Sequence, residues 1–197
     1  MSDHLAGGFP DPVFDAQRTF RAVLDALARP GLAQQAGAGL APPAGLDAAT
    51  YAIALALFDA ETFVWLSPAL RVEPAIESLR FHCGCPLIGE QGAAGFALVA
   101  AEDKPVLSGF AAGEDRYPDR SATVVWQLPA LAGGEPVGLA GPGVDGEVTI
   151  APRGLPAGFW AQWAANHALY PLGVDLLLVT GENMIGLPRS VAVKLES

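Results

Sequence analysis

The feature that most restricts the fold of this 197-residue chain is an apolar run near its carboxyl end, VDLLLVT at residues 174–180. A continuous apolar run of this length is typical of a strand that is buried on both faces of a sheet. Residues 174–180 are therefore predicted to form a central strand. Hydrophobic residues make up 51% of the sequence and charged residues 16%, so the chain has the material for a large core.

Helical and strand patterns alternate along the chain around this strand. Helices are predicted at residues 12–28, 47–58, 74–81, 159–169 and, as a short one, 104–111. Strands are predicted at residues 62–67, 86–88, 96–101, 122–128, 184–187 and 191–195, with a hairpin at 135–140 and 147–150. Residues 32–46 are predicted to be a loop or an irregular strand, and 113–120 a loop. The interleaving predicts an α/β fold with a mixed central sheet, and residues 1–197 are predicted to form one domain because no repeat or linker interrupts them.

The first two helices carry different apolar patterns. In the first, which opens at Asp11-Pro12, apolar residues recur at roughly helical spacing: Phe14, Phe20, Val23, Leu24 and Leu27. The second helix, 47–58, is apolar nearly all round, which predicts burial on more than one side.

The charge balance excludes several classes of partner. The chain has 21 acidic and 11 basic residues, a formal charge of −10, with no basic run. Such a surface repels phosphate backbones and anionic lipids, so nucleic-acid and membrane binding are not expected. The sequence also has no secretory signal and no apolar stretch of spanning length. We therefore expect a cytoplasmic protein.

A histidine and two thiols lie close together at His82, Cys83 and Cys85. A zinc site usually takes four ligands from two separated pairs, and a reactive thiolate favours the positive end of a helix rather than its carboxyl end. The segment is therefore interpreted as buried thiols at a helix-to-strand turn, with His82 capping the helix end.

Asp175 enters the apolar run at its start, and a buried carboxylate needs a partner. Arg189 follows fourteen residues later, where a returning strand would place it alongside. A structural Asp175–Arg189 ion pair is the favoured interpretation, and a ligand site that includes Arg189 is the alternative. The charges of the first helix, among them Arg29, are interpreted as a solvated face.

The sequence contains none of the common phosphate-binding, dinucleotide-binding, zinc-protease or serine-hydrolase motifs. The glycine turn Gly141-Pro142-Gly143 is interpreted as a connection between strands, because a proline removes an amide that a phosphate would use. No catalytic, cofactor-binding or metal-binding residue is assigned.

Several segments together resemble one known family, the H subunit of carbon–phosphorus lyase (PhnH). They are Phe14-Asp15-Ala16-Gln17 through Phe20-Arg21 to Ala28-Arg29-Pro30-Gly31, Val64-Trp65-Leu66-Ser67, Ser78-Leu79-Arg80-Phe81-His82, Gly141-Pro142-Gly143, Tyr170-Pro171-Leu172-Gly173-Val174-Asp175-Leu176, and Leu187-Pro188-Arg189. The resemblance spans nearly the whole chain in the same order. Cys83 and Cys85 lie outside it.

The resemblance implies a role in bacterial phosphonate degradation. Members join the G, I and J subunits in a core complex that helps to convert ATP and an alkylphosphonate into α-D-ribose 1-methylphosphonate 5-triphosphate. It also implies a homodimer with a three-layer α/β/α sandwich, similar to the large domain of pyridoxal-phosphate-dependent transferases. No bound pyridoxal phosphate is expected, since Lys104 and Lys194 are the only lysines and neither follows a strand convincingly.

Two functional hypotheses follow. The first is a subunit of the phosphonate-processing complex that is not catalytic by itself. The second is an enzyme that binds a phosphorylated small molecule through Arg29, Arg80, His82 or Arg189. A homodimer is also suggested by large aromatic residues, which are favoured at interface cores. These are Trp126, Trp160, Trp163 and Tyr170.

Overall fold

A computed structural model describes residues 5–195, and a seven-stranded mixed sheet lies at its centre. The strands in chain order are β1 (Gln34–Gln35), β2 (Val64–Leu66), β3 (Leu87–Ile88), β4 (Phe96–Val99), β5 (Ala112–Glu114), β6 (Tyr117–Ser121), β7 (Thr123–Gln127), β8 (Val137–Ala140), β9 (Val148–Ile150), β10 (Asp175–Thr180), β11 (Asn183–Leu187) and β12 (Ala192–Leu195). The order in the main sheet is β1-β11-β10-β7-β4-β2-β3. Strands β10, β7, β4, β2 and β3 are parallel, and β11 is antiparallel to both β10 and β1. The predicted α/β class with a mixed sheet is confirmed.

Four α-helices accompany the strands, and the sequence predicted each of them to within about two residues at either end. They are α1 (Pro12–Ala28), α2 (Ala48–Leu57), α3 (Glu73–Cys83) and α4 (Phe159–His167). Helix α1 begins where the Asp11 carboxylate accepts a 3.2 Å hydrogen bond from the Phe14 amide. Helix α3 ends at Gly84, whose φ of 65° is the left-handed conformation that glycine adopts most readily. Within residues 5–195, no helix has both the length and the apolar character needed to cross a membrane.

The central strands are buried on both faces, as the run at residues 174–180 predicted. Along β10, Leu176 and Leu178 belong to one core, whereas Leu177 and Val179 belong to the other. This alternation follows from the two-residue repeat of a strand, which sends successive side chains to opposite faces. Helices α1, α2 and α3 cover the face of Leu177, and α4 together with β8 and β9 covers the face of Leu176.

The second core contains the large aromatic side chains of the carboxyl half. Trp126 and Trp163 are fully buried, and Trp160 is nearly so. The Trp163 indole also donates a 2.9 Å hydrogen bond to the Val191 carbonyl. The expectation that these tryptophans lie at a dimer interface is therefore wrong, because they fill the space between the sheet and α4. Tyr170, by contrast, is 60% exposed.

Two segments between β4 and β7 differ from the prediction. The loop predicted at residues 113–120 is a two-stranded antiparallel arm, β5–β6, whose polar sequence lacks the alternation that identifies a half-buried strand. The short helix predicted at 104–111 is a single 3₁₀ turn, Leu107–Gly109. There the Leu107 amide donates to the Gln162 side chain of α4, a tertiary bond that periodicity cannot reveal.

Helix α1 exposes much of the apolar face that its sequence suggested. Val13, Phe20 and Leu24 lie on one side of the helix and are 74%, 46% and 50% exposed. We call these three residues the α1 apolar face. The helix packs on the protein through its other side, where Thr19, Val23 and Ala26 are buried.

Helix α1 approaches the sheet most closely at Gly186 of β11. A methyl group built on Gly186 would lie 2.4 Å from the Ala26 carbonyl oxygen and 2.8 Å from the Leu27 amide. Because those atoms are backbone, they cannot rotate away. Glycine at this position therefore sets the distance between α1 and the sheet.

We predict that Gly186→Ala lowers the free energy of unfolding by about 3 kcal/mol, because the added methyl forces α1 off the sheet. Chemical denaturation measures this loss. Gly7→Ala is the matched control, since no atom lies within 4 Å of its added methyl. Equal stability of the two variants would contradict the close contact.

Candidate functional site

The five residues that the sequence singled out lie at three separate places. Asp175 and Arg189 are in contact. Arg29 follows the end of α1 and pairs with Asp25 of the same helix at 2.8 Å, where both side chains are about half exposed. Arg80 and His82 lie on α3, two residues apart.

The Asp175–Arg189 pair is present in the favoured geometry. Arg189 Nη2 lies 2.6 Å from Asp175 Oδ2, and Arg189 Nε lies 3.1 Å from Oδ1. The Arg189 backbone amide donates a further 2.7 Å hydrogen bond to Oδ1. Each side chain retains only 17% exposure. A two-pronged pair of this kind, supported by an amide, is among the stronger polar contacts in proteins.

This pair fixes the β5–β6 arm to the sheet. The remaining Arg189 nitrogen, Nη1, donates a 2.9 Å hydrogen bond to the Pro118 carbonyl of β6. The other strand of the arm is held at Ala112, whose carbonyl accepts a 2.8 Å hydrogen bond from the Gly173 amide. Nε, Nη1 and Nη2 of Arg189 thus each donate a hydrogen bond within the protein. This supports a structural role for Arg189.

The end of α4 holds the segment that leads into β10. Asn166 is buried, and its side chain both accepts from the Val174 amide at 2.8 Å and donates to the Val174 carbonyl at 3.0 Å. His167 Nδ1 lies 2.9 Å from the Arg189 carbonyl. Helix α4 therefore positions both partners of the ion pair, although neither Asn166 nor His167 showed a sequence signal for this role.

Three of the short motifs meet beside this pair. The turn at Gly141 and Gly143 joins β8 to β9, as the sequence predicted, and it lies against two other segments. A methyl on Gly141 would lie 2.8 Å from the Ser190 carbonyl oxygen, and one on Gly143 would lie 2.1 Å from the Ala28 carbonyl oxygen. The segments after α1 and after β11 thus pack against one glycine turn, which explains why these motifs occur together.

On the β5–β6 arm, two arginine side chains lie against the ring of Tyr117. The guanidinium of Arg120 lies 4.1 Å from the centre of the Tyr117 ring, and that of Arg116 lies 5.5 Å from it. Both arginines are exposed. Cation–π contacts of this kind hold the two side chains in place on the surface.

The polar segment at the end of α3 differs from the sequence interpretation in one respect. His82 does not cap its own helix; its Nε2 lies 2.8 Å from the Ala6 carbonyl, and its ring contacts Tyr51 edge-on. The amino-terminal segment passes over this helix end and offers a nearer partner, while Gly84 ends the helix. Burial raises the pKa of Tyr51 to about 12.

The two cysteines are free; Cys85 is buried, as predicted, whereas Cys83 is only half-buried. The hydrogen bond with the Cys85 thiol, reinforced by burial, raises the pKa of Cys83, and the Cys83 thiol donates to the Ala54 carbonyl at 3.5 Å. Across the described residues, 5–195, no three His, Cys, Asp or Glu side chains are grouped so that they could hold a metal ion.

The carboxyl ends of the parallel strands carry a second polar network, which the sequence did not suggest. Buried Gln127 of β7 accepts from the Asp47 amide at 2.7 Å and donates to the Gly45 carbonyl at 2.9 Å. The Asp47 carboxylate accepts a 3.0 Å bond from the Gly181 amide. Burial raises the pKa of Asp47, and that amide partly offsets the rise. Buried Ser67, which directly follows β2, accepts from the Ala100 amide at 2.9 Å.

Breaking the Asp175–Arg189 pair tests its role. Removing one partner leaves the other charge largely buried, so we predict that Asp175→Asn and Arg189→Met each lower the free energy of unfolding by about 3 kcal/mol. The double variant should recover much of this loss. Trypsin should also cut faster at Arg116 and Arg120 in the single variants, because the arm is no longer fixed.

Asp25→Asn is the control, since it removes the half-exposed pair with Arg29 and should change stability by less than about 1 kcal/mol. Small and additive effects at Asp175 and Arg189, with unchanged cleavage of the arm, would contradict the structural role.

The sequence matches the profile of a family described as "Bacterial phosphonate metabolism protein (PhnH)" over residues 7–194. A protein of Rhizobium meliloti (strain 1021) named "Alpha-D-ribose 1-methylphosphonate 5-triphosphate synthase subunit PhnH" is 42% identical over 197 residues, which cover 100% of this chain and 98% of that protein. A protein of Stutzerimonas stutzeri named "Putative C-P lyase subunit protein HtxG" is 37% identical over 84 residues, or 43% of each chain. The turns and the ion pair described above lie within the span of the profile, and the chain belongs to the PhnH family of bacterial phosphonate metabolism proteins.

Proposed function

We propose that the chain is a subunit of the enzyme complex that forms α-D-ribose 1-methylphosphonate 5-triphosphate during phosphonate breakdown. The observation that carries this proposal is the 42% identity, over the whole chain, to a relative named as a subunit of that synthase. The partial match to a second C-P lyase subunit agrees with it. The proposal places the chain in the cytoplasm, where ATP and the other subunits are available.

The hydrogen bonds and the ion pair of the polar side chains support a subunit that is not catalytic by itself. Asp175 is bound to Arg189, Asp47 to the Gly181 amide and Ser67 to the Ala100 amide. A general acid, base or nucleophile needs free access to a substrate. These groups instead hold loops against the two ends of the sheet.

The elements that cover the two faces of the main sheet support the three-layer fold that the resemblance implied. We propose a three-layer α/β/α arrangement related to the large domain of pyridoxal-phosphate-dependent transferases, within one domain of 197 residues. Helices on one face, and α4 with the small sheet β12-β8-β9 on the other, agree with such an arrangement. The proposal includes no bound cofactor, and the Lys104 ammonium is engaged by the Ala101 and Gly154 carbonyls at 2.6 and 2.5 Å.

We further propose that two copies of the chain associate through the α1 apolar face. The chain carries a formal charge of −10, so two copies repel each other over most of their surfaces. The charges within α1 cancel, because Asp15 and Asp25 balance Arg18 and Arg21. Val13, Phe20 and Leu24 therefore form an exposed apolar surface at which that repulsion is small.

Genetic complementation tests the subunit assignment. We predict that the chain restores growth on methylphosphonate as sole phosphorus source to a host that lacks its own PhnH subunit. Growth on phosphate is the control for general fitness. A tagged chain from the same cells should bring down the G, I and J subunits, identified by mass spectrometry. Failure of both complementation and recovery would contradict the proposal.

Light scattering tests the dimer. We predict a mass of about 41 kDa, twice the 20.3 kDa of one chain, and a mass near 20 kDa for Phe20→Glu combined with Leu24→Glu. Val106→Glu is the matched control, since Val106 is 55% exposed and lies outside α1. A monomeric wild-type protein at micromolar concentration, or a dimer unaffected by the α1 substitutions, would contradict the placement.

A further inference from the structure

A groove lined by two arginines lies between α3 and the edge strand β3. It has a volume of about 220 Å³ and is lined by Leu66, Arg71, Ile76, Arg80, Leu87 and Ile88, with Gly89 at its end. Most of these side chains are apolar, and the two guanidiniums are the only charged groups in the lining. Arg80 was singled out in the sequence, whereas Arg71 was not.

Arg71 is held in place by two contacts that leave its outer nitrogens free. Its Nε donates a 2.9 Å hydrogen bond to the Leu66 carbonyl, and its guanidinium carbon lies 5.8 Å from the centre of the Trp65 ring. No carboxylate of residues 5–195 lies within ion-pair distance of this guanidinium. An arginine fixed in this way presents its two NH₂ groups with little loss of side-chain freedom on binding.

Arg80 lies one turn after Ile76 on α3, which places both side chains on the side that faces the groove. Its guanidinium likewise lacks a carboxylate within ion-pair distance among the described residues. Two like charges that share one groove repel each other unless an anion lies between them. In a chain with almost twice as many acidic as basic residues, such an unpaired couple is unusual.

The position of the groove in the fold also favours a ligand. Parallel strands β2 and β3 both end at it, since Leu66 is the last residue of β2 and Ile88 the last of β3. Open α/β sheets bind ligands beyond the carboxyl ends of their strands. The groove is smaller than the roughly 300–1,000 Å³ of a site for drug-sized molecules, so its ligand must be small.

We propose that this groove binds a small tetrahedral phosphorus oxyanion, an alkylphosphonate or phosphate. The guanidiniums of Arg71 and Arg80 hold its oxygens, for which their planar forks are suited. Ile76, Leu87 and Ile88 offer an apolar wall to a short alkyl substituent. The choice of a phosphonate rests on the proposed function, whereas the anion site itself rests on the geometry.

Isothermal titration of the purified protein with methylphosphonate and, separately, with inorganic phosphate tests the site. At about 0.15 M salt, where long-range surface attraction is screened, we expect Arg80→Gln and Arg71→Gln each to weaken binding at least about tenfold. Arg21→Gln is the matched control, because Arg21 is exposed on α1 and has no ion pair within residues 5–195. It should bind like the wild type.

Stability is checked in the same preparations. The Arg80 side chain is exposed and makes no hydrogen bond among the described residues, so Arg80→Gln should keep the wild-type melting temperature even if the loss of the Leu66 contact destabilises Arg71→Gln. Equal binding by Arg80→Gln and the wild type would overturn the proposal. So would an equal loss in all three variants, which would indicate general charge attraction.

Comparing the affinities for methylphosphonate and phosphate tests which of the two anions the groove is suited to bind. If the apolar wall contacts an alkyl group, methylphosphonate binds more tightly than phosphate, and Ile76→Ala removes that preference while leaving phosphate binding unchanged. Tighter binding of phosphate would overturn the alkylphosphonate assignment. Absence of any binding would overturn the anion site but not the subunit assignment, which complementation and subunit recovery test independently.

Discussion

Burial of both faces of the central strands is the constraint on which the rest of this structure depends. Strands β7 and β10 lie in the middle of the sheet, and their successive side chains point into two different cores. Each core must be closed by other elements, which explains why the apolar residues are spread along the whole chain. Helices α1, α2 and α3 close one core. The other is closed by α4 and the small antiparallel sheet, and all four tryptophans of the chain lie in it.

A sheet that is apolar on both faces leaves polar contacts to its two ends, and the ends differ. At the amino end of β10 the Asp175–Arg189 pair, the β5–β6 arm and the glycine turn at residues 141–143 form one connected group. Backbone atoms are so close there that added side-chain atoms would clash. At the carboxyl end, Gln127 and Ser67 satisfy the loops above the inner strands, whereas Arg71 and Arg80 at the β2–β3 edge have no carboxylate partner among residues 5–195. The first end is built for rigidity, and the second offers the free charges that a ligand can use.

The errors of the sequence predictions come from contacts that local sequence patterns do not report. Hydrophobic periodicity reports which residues avoid water, but it does not report what covers them. Trp160 and Trp163 were assigned to an interface and are covered by the protein's own sheet, while Phe20 and Leu24 belong to an apolar pattern and remain exposed. The β5–β6 arm was missed because its polar strands are stabilised by pairing and by contacts with Arg189 and Gly173. His82 was assigned to its own helix end because the Ala6 carbonyl is distant in sequence.

The sequence alone determined the α/β class, the positions of the four helices and most strands, the burial of residues 174–180, the Asp175–Arg189 pair and the family resemblance. The first four depend on local repeats, turn residues and the need of a buried carboxylate for a partner, which can be seen within a short stretch of chain, whereas the resemblance depends on several short motifs in the same order along the chain. Only the tertiary structure decided the strand order and which elements cover each face of the sheet. It also decided how closely α1 approaches Gly186 and that Arg71 and Arg80 line one groove. Those contacts join segments that are distant in sequence, and a single sequence contains no measure of which distant segments will meet.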